Sequence, residues 1–311
     1  MKLGVAFGWH SLAWEDLLAL VRHAESLGFE TAYVDGDVSM LGSRRDADVL
    51  DGWSVTLALL AATSRIRIAS IRLVHHWNAA HLAQAAATAE RIFPGRYRFF
   101  ASIGERPEDA RFGLPQLPPG ERIAWLDECL DAIRALWRGE EVTRKGRFVR
   151  LEGARVRPTP PGGALPIEVG GRRPRLLGVV ARHADVWNVN LPPVATRVMR
   201  ASDALAQACE KVGRDPATIA RRMLVFARVQ ARPDRQAALR EFRRLNPWFA
   251  DIPDAEITPV ISAGDAAACR AQLASSILPL GLELPILDLT GADAATARVT
   301  LDAFPSGNFV D

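Results

Sequence analysis

The sequence predicts an α/β fold, a (β/α)8 TIM barrel with a short excursion before its fifth strand. Three observations predict it. Short apolar runs alternate with amphipathic helical runs eight times along 311 residues. Parallel strands need a helical crossover, so repeated strand–helix units imply a parallel sheet. An open doubly wound sheet is the alternative, but its G-x-G-x-x-G turn is missing: Trp9–His10–Ser11 follow LGVAFG. A barrel takes about 250 residues or more, so one domain over residues 1–311 fits, and no linker interrupts it.

The elements follow in order. Leu3–Gly8 reads as strand one, and Trp14–Leu27 as a helix that Gly28 stops. Thr31–Asp35 is strand two, Trp53–Ala62 a helix, Ile66–Val74 strand three, and Ala79–Phe93 an alanine-rich helix. Tyr97–Ala101 is strand four. A Pro/Gly-rich loop, Pro107–Gly120, leads into a helix over Arg122–Arg138. Gly139–Pro166 is the excursion, and VTRKGRFVRLEGARV within it patterns as a hairpin. Strand Ile167–Val169, helix Pro174–Ala181, strand Asp185–Val189 and helix Ala195–Val212 come next. Strand Met223–Gln230, helices Arg235–Leu245 and Asp265–Pro279, and strand Pro285–Leu289 follow, and Asp293–Phe304 closes the pattern.

Composition excludes several classes. With 39 Lys+Arg against 36 Asp+Glu, and no basic run, the surface is mixed rather than a nucleic-acid footprint. Cys129, Cys209 and Cys269 form no C-x-x-C pair, which disfavours zinc and redox motifs. Reduced thiols and the lack of a signal-like start suit a cytoplasmic protein. No apolar stretch is long enough for a membrane span. The partner expected is a small-molecule substrate, with neither nucleic acid nor membrane, and a homodimer is left open.

In a barrel, chemistry sits at the C-terminal ends of the strands. That rule selects Trp9, His10, Asp35, Asp37, Arg72 to His76, Ser102 to Glu105, Gly170 to Arg173, Asn188, Asn190 and the region near Asp288. In VGGRRPRLLGVVARHADVWNVN, a strand ends in Gly170–Gly171 and a helix begins near Pro174. Two glycines admit a close backbone approach, and free N–H groups at a helix start favour an anion. Arg172 and Arg173 add charge suited to phosphate; solvated arginines on a tight turn are the plainer alternative. His10 and His75 lie at two different strand ends, where imidazole can move a proton near neutral pH. Trp9 and Trp77 beside them can wall a pocket or anchor loops. His76 and Glu105 complete the candidate substrate contacts.

Five stretches, in this order and spacing, resemble the luciferase-like monooxygenase superfamily. They are KLGVAFGW…EDLLALVRHAESLGFETAYVD, LLAATSRIRIASI, AHLAQAAATAERIFPGRYRFFASIG, ERIAWLDECLDAIRALWRGEEVTRKGRFVRLEGARVRPTPPGGALPIEVGG and RHADVWNVN. The superfamily includes FMN-dependent monooxygenases and reductases that use the deazaflavin coenzyme F-420. The resemblance implies that Ser70, Ile71 and Arg72 run under the cofactor ring, supported by a bulge that often holds a non-prolyl cis peptide. It matches Ser102 and Gly104 to the glycine-rich end of strand four, and Gly170, Gly171, Arg172 and Arg173 to the phosphate turn. The sequence departs from the family pattern at Asp35–Gly36, where Asp-His is usual, at Ala69–Ser70–Ile71–Arg72, at Ala80 and at Ser262–Ala263–Gly264.

The expected function is hydride exchange between a flavin or deazaflavin and a small organic substrate, with reduction favoured. The cofactor supplies the reactive ring, and the protein supplies anchoring, positioning and a proton. Coenzyme F-420 is the expected cofactor and FMN the alternative. His10 and His75 are the candidate proton donors. Asp35, Ser70, Ile71, Arg72, Ser102, Gly104, Gly170, Gly171, Arg172, Arg173 and Asn188 are assigned to the cofactor, and Trp9, His76, Trp77 and Glu105 to the substrate. An FMN-dependent monooxygenase and a non-catalytic ligand-binding barrel are the competing readings.

Overall fold

The computed structural model describes residues 1–8, 12–34, 49–104, 110, 112–230 and 234–307. Its first half alternates β1 (Gly4–Phe7), α1 (Trp14–Ser26), β2 (Thr31–Val34), α2 (Gly52–Ala62), β3 (Arg67–Leu73), α3 (Ala79–Ile92), β4 (Tyr97–Ser102) and α4 (Pro119–Trp137). A hairpin of β5 (Val142–Lys145) and β6 (Arg150–Ala154) interrupts the alternation where the excursion was expected. The chain resumes with β7 (Ile167–Gly170), α5 (Pro174–His183), β8 (Val186–Asn188), α6 (Ala195–Glu210) and β9 (Ala220–Val229). It ends with α7 (Arg235–Leu245), α8 (Asp254–Ile257), β10 (Ser262–Gly264), α9 (Ala266–Ile277), β11 (Leu284–Asp288) and α10 (Ala294–Asp302).

Eight parallel strands close into a barrel in the order β11, β1, β2, β3, β4, β7, β8, β9, with β9 returning to β11. The (β/α)8 expectation holds. Strand β10 is an addition that the sequence reading missed: among the described residues Ser262–Gly264 pairs only with the tip of β9, at Ala227–Val229. Three residues of Ser, Ala and Gly carry no strand periodicity, so the pairing is tertiary rather than local.

Acidic and amide caps fix several helix starts. Asp51 accepts from Ser54 N at 2.7 Å, which begins α2 one residue before the expected Trp53. Asn78, Asp234, Asp265 and Asp293 cap α3, α7, α9 and α10 in the same way. Glu25 does a related task between helix and strand. Its Oε1 accepts from the backbone of Ser64 and Ile66 at 2.8 and 2.9 Å, pinning the turn that feeds β3.

Side chains alternate across the barrel wall. One face packs against the helices, through Val5, Phe7, Ala32, Val34, Ile68, Phe99 and Val169. The other face fills the barrel with Ala6, Tyr33, Ala69, Phe100, Leu284 and Ile286, against which Ile71 and Leu224 pack. Small residues on β1 and β3 leave room for Tyr33 and Phe100, whose rings meet edge to face at 6.3 Å. Among the described residues no helix is long and apolar enough to cross a membrane.

Candidate active site

The middle of the barrel is charged. Glu168 on β7 and Arg222 on β9 interrupt apolar strands, and both are nearly inaccessible, at 2% and 4% exposure. Arg222 Nη1 donates to Glu168 Oε2 at 3.1 Å and to the Tyr33 hydroxyl at 3.0 Å. Tyr33 donates in turn to Glu168 Oε2, also at 3.0 Å. Arg222 reaches down with Nε to Glu283 at the barrel floor, 3.1 Å away. A buried ion pair survives only when its remaining valences are satisfied, and these four residues satisfy one another. Burial pushes the Tyr33 hydroxyl well above its usual pKa, so it stays a donor. Burial raises Glu168 too, against the pull of Arg222 and its hydrogen-bond donors.

Above this layer, Asn188 ends β8. It shares the inward face with Gly170, its register partner. Its Nδ2 donates to Glu168 Oε1 at 2.7 Å. Gly170 leaves this space open: a Cβ there would stand a tight 3.2 Å from the Phe100 ring. Gly171 is more constrained, because a Cβ would fall 2.1 Å from Leu176 Cδ2. The turn's backbone is pinned from below by Trp187, whose Nε1 donates to Gly171 O at 2.7 Å. Helix α5 starts immediately beyond, with Pro174 in its first turn and no side chain capping it. The glycine turn and the open helix end expected from the sequence are therefore in place.

The arginines of this turn depart from expectation. Arg172 is bound to Asp251 through Nη2 at 2.8 Å and Nη1 at 3.2 Å. It also donates to Trp248 O at 2.8 Å and lies over the Phe249 ring. Both terminal nitrogens of its fork are thus engaged within the protein, and Asp251 is held below the usual carboxylate range chiefly by that hydrogen bond. Arg173 is exposed and only 3.5 Å from the same carboxylate.

The end of β3 also differs. Its register with β4 runs unbroken from Ile68 to Leu73, so no bulge of the kind the family resemblance implies interrupts β3 on that side. The peptide bonds of β3 are trans. Ile71 faces the barrel interior. Ser70 and Arg72 face the helix layer, at 0% and 1% exposure. Arg72 lies between the indoles of Trp53 and Trp77, 5.5 and 5.9 Å from their centroids. Strand alternation explains the correction: if Ile71 enters the barrel, its two neighbours cannot. Arg72 therefore does not line the barrel mouth.

Beside it, the chain leaves β3 through a 3-10 turn, Val74–His76. His75 is buried, with the His76 ring 4.4 Å away and Trp125 of α4 at 6.5 Å. Gly104 adopts φ +63° just past β4, and a Cβ there would meet His75 Cε1 at 3.0 Å and Leu73 Cδ1 at 2.9 Å. The structure thus brings His75 together with Gly104. Ser102 is the half-buried last residue of β4. Trp77 packs against Trp53 and His81. Trp9, His10, Asp35, Asp37 and Glu105 lie outside the described residues. At the end of β11, Asp288 is buried with its carboxyl raised by that burial, and its Oδ1 accepts from Thr290 N at 3.0 Å.

Sequence reasoning missed Tyr33, Glu168, Arg222 and Asp251. The signal for Glu168 and Arg222 was present: a charge inside IEVG and another inside RRMLVF, where strands should be apolar. Nothing local singled out Asp251, which Arg172 reaches across 79 residues.

Comparison with known proteins follows the fold. A family model described as luciferase-like monooxygenase matches residues 1–279. A phthiodiolone/phenolphthiodiolone dimycocerosates ketoreductase of Mycobacterium tuberculosis is 35% identical over 148 residues, 46% of this chain and 37% of that protein. The chain spans less than two thirds of the length of the curated relatives it matches. An F-420-dependent secondary alcohol dehydrogenase, solved with an F-420–acetone adduct, superposes with a TM-score of 0.81 at 20% identity, covering 99% of this chain and 100% of that one. A long-chain alkane monooxygenase superposes at 0.76 and 15% identity, covering 98% and 90%. These structures share the fold, and the family match extends over most of the sequence: the chain belongs to the luciferase-like monooxygenase family of enzymes.

Proposed function

We propose that the chain is an oxidoreductase that reduces a small organic substrate with a bound flavin-type cofactor, coenzyme F-420 in preference to FMN. One observation carries the reading: the Gly170–Gly171 turn delivers the uncapped N-terminus of α5 to the barrel mouth, beside the inward Asn188. A helix end with free N–H groups takes a phosphate without further charge, which fits a phosphorylated cofactor even though Arg172 is already occupied. When bound, such a cofactor supplies a hydride equivalent.

The chain's own residues do the rest. Gly170, Gly171 and the first turn of α5 anchor the phosphate, with Arg173 near the solvent edge. Ile71, Ser102, Gly104 and Asn188 surround the ring, and Phe100 walls it from below. His75, beside Gly104, holds a proton for the substrate oxygen, and His10 is the second donor. Trp9, His76 and Glu105 are assigned to the substrate, while Trp77 packs with Trp53 and Arg72 in the helix layer. The preference for reduction rests on the ketoreductase relative and on the alcohol dehydrogenase whose fold this chain shares. FMN-dependent oxygenation is the second reading, favoured by the family description.

Fluorescence titration of the purified protein with FMN and with F-420 tests the cofactor. Anaerobic turnover with ketones, against oxygen uptake with reduced FMN, tests the reaction. Tight binding of F-420 with ketone reduction is expected. Failure to bind either cofactor overturns the proposal.

A further inference from the structure

We infer that Asn188 presents a hydrogen-bond acceptor to the ligand at the barrel mouth, and that Glu168 is the positioning residue that fixes this polarity. The inference rests on the reading that the mouth holds a flavin-type ring, and it specifies which edge of that ring is recognised.

A carboxamide has a donor end and an acceptor end, and a free asparagine can offer either. Asn188 is not free. Its Nδ2 is 2.7 Å from Glu168 Oε1, and a carboxylate held in an ion pair by Arg222, with Tyr33 donating to it as well, accepts only. The nitrogen is therefore committed to Glu168, and the oxygen must face the other way. Glu168 cannot swing aside, because Tyr33 and Arg222 both hold its second oxygen, at 3.0 and 3.1 Å. Arg222 is itself anchored by Glu283. A chain of charge-assisted bonds thus runs from the barrel floor to the mouth and ends on one amide.

The exposed end of that amide is placed for a ligand. Asn188 is 2% exposed, yet its Oδ1 is not among the enclosed polar atoms that lack a partner. No described group donates to it. Beside it Gly170 carries no side chain, and a Cβ there would stand 3.9 Å from Asn188 Cβ. A flat ring edge can approach along that gap. An acceptor recognises a donor, so the edge selected carries an N–H, as the imide of flavins and deazaflavins does. Buried polar readout of this kind discriminates strongly, because a ligand without the donor leaves the oxygen unpaired.

The test compares FMN with its N3-methyl derivative, which lacks that donor, by fluorescence titration. Wild type should prefer FMN by at least about 10-fold, the size expected for one buried bond of roughly 1.4 kcal/mol or more. In Glu168→Gln the amide at position 168 can donate to Asn188 Oδ1, the orientation is released, and the preference should fall severalfold. Asn188→Ala leaves Tyr33, Glu168 and Arg222 in place and should lose the preference outright. Tyr33→Phe should lower the unfolding midpoint yet keep the preference, which a merely structural role for Glu168 would not allow. Equal affinity of wild type for both ligands, or an unchanged preference in Asn188→Ala, overturns the inference. The side-chain amide of Asn188, observed by 15N NMR in the ligand-free protein, separates this from the cofactor reading. A hydrogen-bonded amide signal that Glu168→Gln abolishes, in a protein that binds no flavin, sinks the cofactor alone. An amide signal indifferent to Glu168→Gln sinks the positioning role.

Discussion

Arg172 and Asp251 form a two-pronged ion pair, 2.8 and 3.2 Å, that ties the turn after β7 to the segment after α7. The arginine side chain is 12% exposed and the aspartate 44%, so one partner is shielded and the other wet. Arg172→Ala and Asp251→Ala should each lower stability, and a double-mutant cycle should give a coupling of about 1 kcal/mol. Urea denaturation of the four proteins measures it. Additive effects would show that the pair is incidental.

Breaking the interior pair should be far more damaging. Glu168→Ala leaves the Arg222 guanidinium, 4% exposed, without its main counter-charge. The expected cost is about 3–5 kcal/mol. Replacing Glu168 and Arg222 together by Gln and Met should recover much of it. Chemical denaturation reads both, and a small loss in Glu168→Ala would mean that the pair contributes little.

Arg72 makes a sharper test of position. Its guanidinium lies between Trp53 and Trp77 in the helix layer, where each contact is worth about 0.5–2 kcal/mol. Arg72→Met should lower the thermal midpoint while cofactor affinity changes less than about twofold, a span under 0.5 kcal/mol. A large loss of affinity in a well-folded variant would return Arg72 to the pocket.

Acid should weaken the contact between α4 and α5. Burial opposes ionisation of Asp127, but hydrogen bonds from His183 and Arg182 outweigh it, so its carboxyl lies below the usual range. A depressed acid contributes stability that is present above its unfolded pKa, about 3.9, and that is lost as pH falls through the lower folded value. The carboxylate is 37% exposed, so screening keeps the effect under about 1 kcal/mol. Asp127→Asn should be less stable than wild type at neutral pH and converge with it in strong acid. Urea midpoints measured as the pH is lowered check this, and parallel curves would refute it.

The apolar layer between strands and helices is continuous from Leu3 to Phe304. We therefore propose that the chain unfolds as one domain. Calorimetry should show a single transition, and limited proteolysis should yield no stable fragment. Two resolved transitions would divide the chain.

Much of this architecture was legible in the sequence. The helical periodicity of α1 and α3 and the apolar strands between them follow from local pattern, and so does the Gly170–Gly171 turn. The facing of β3 was not legible. Ser70 and Arg72 share one side on any reading, but whether that side is the barrel or the helix layer is decided by the small inward Ala69 and by Trp53 on a separate helix. Arg172 reads as a free cation until Asp251 arrives from far along the chain. Single-sequence pattern registers period and turn chemistry. It does not register which charges meet.

Tyr33, Glu168, Arg222 and Phe100 fill the barrel's cross-section beneath Asn188, and Glu283 closes the floor. A vessel stoppered in this way has one door. Whatever reacts in the mouth must arrive and depart on the same side.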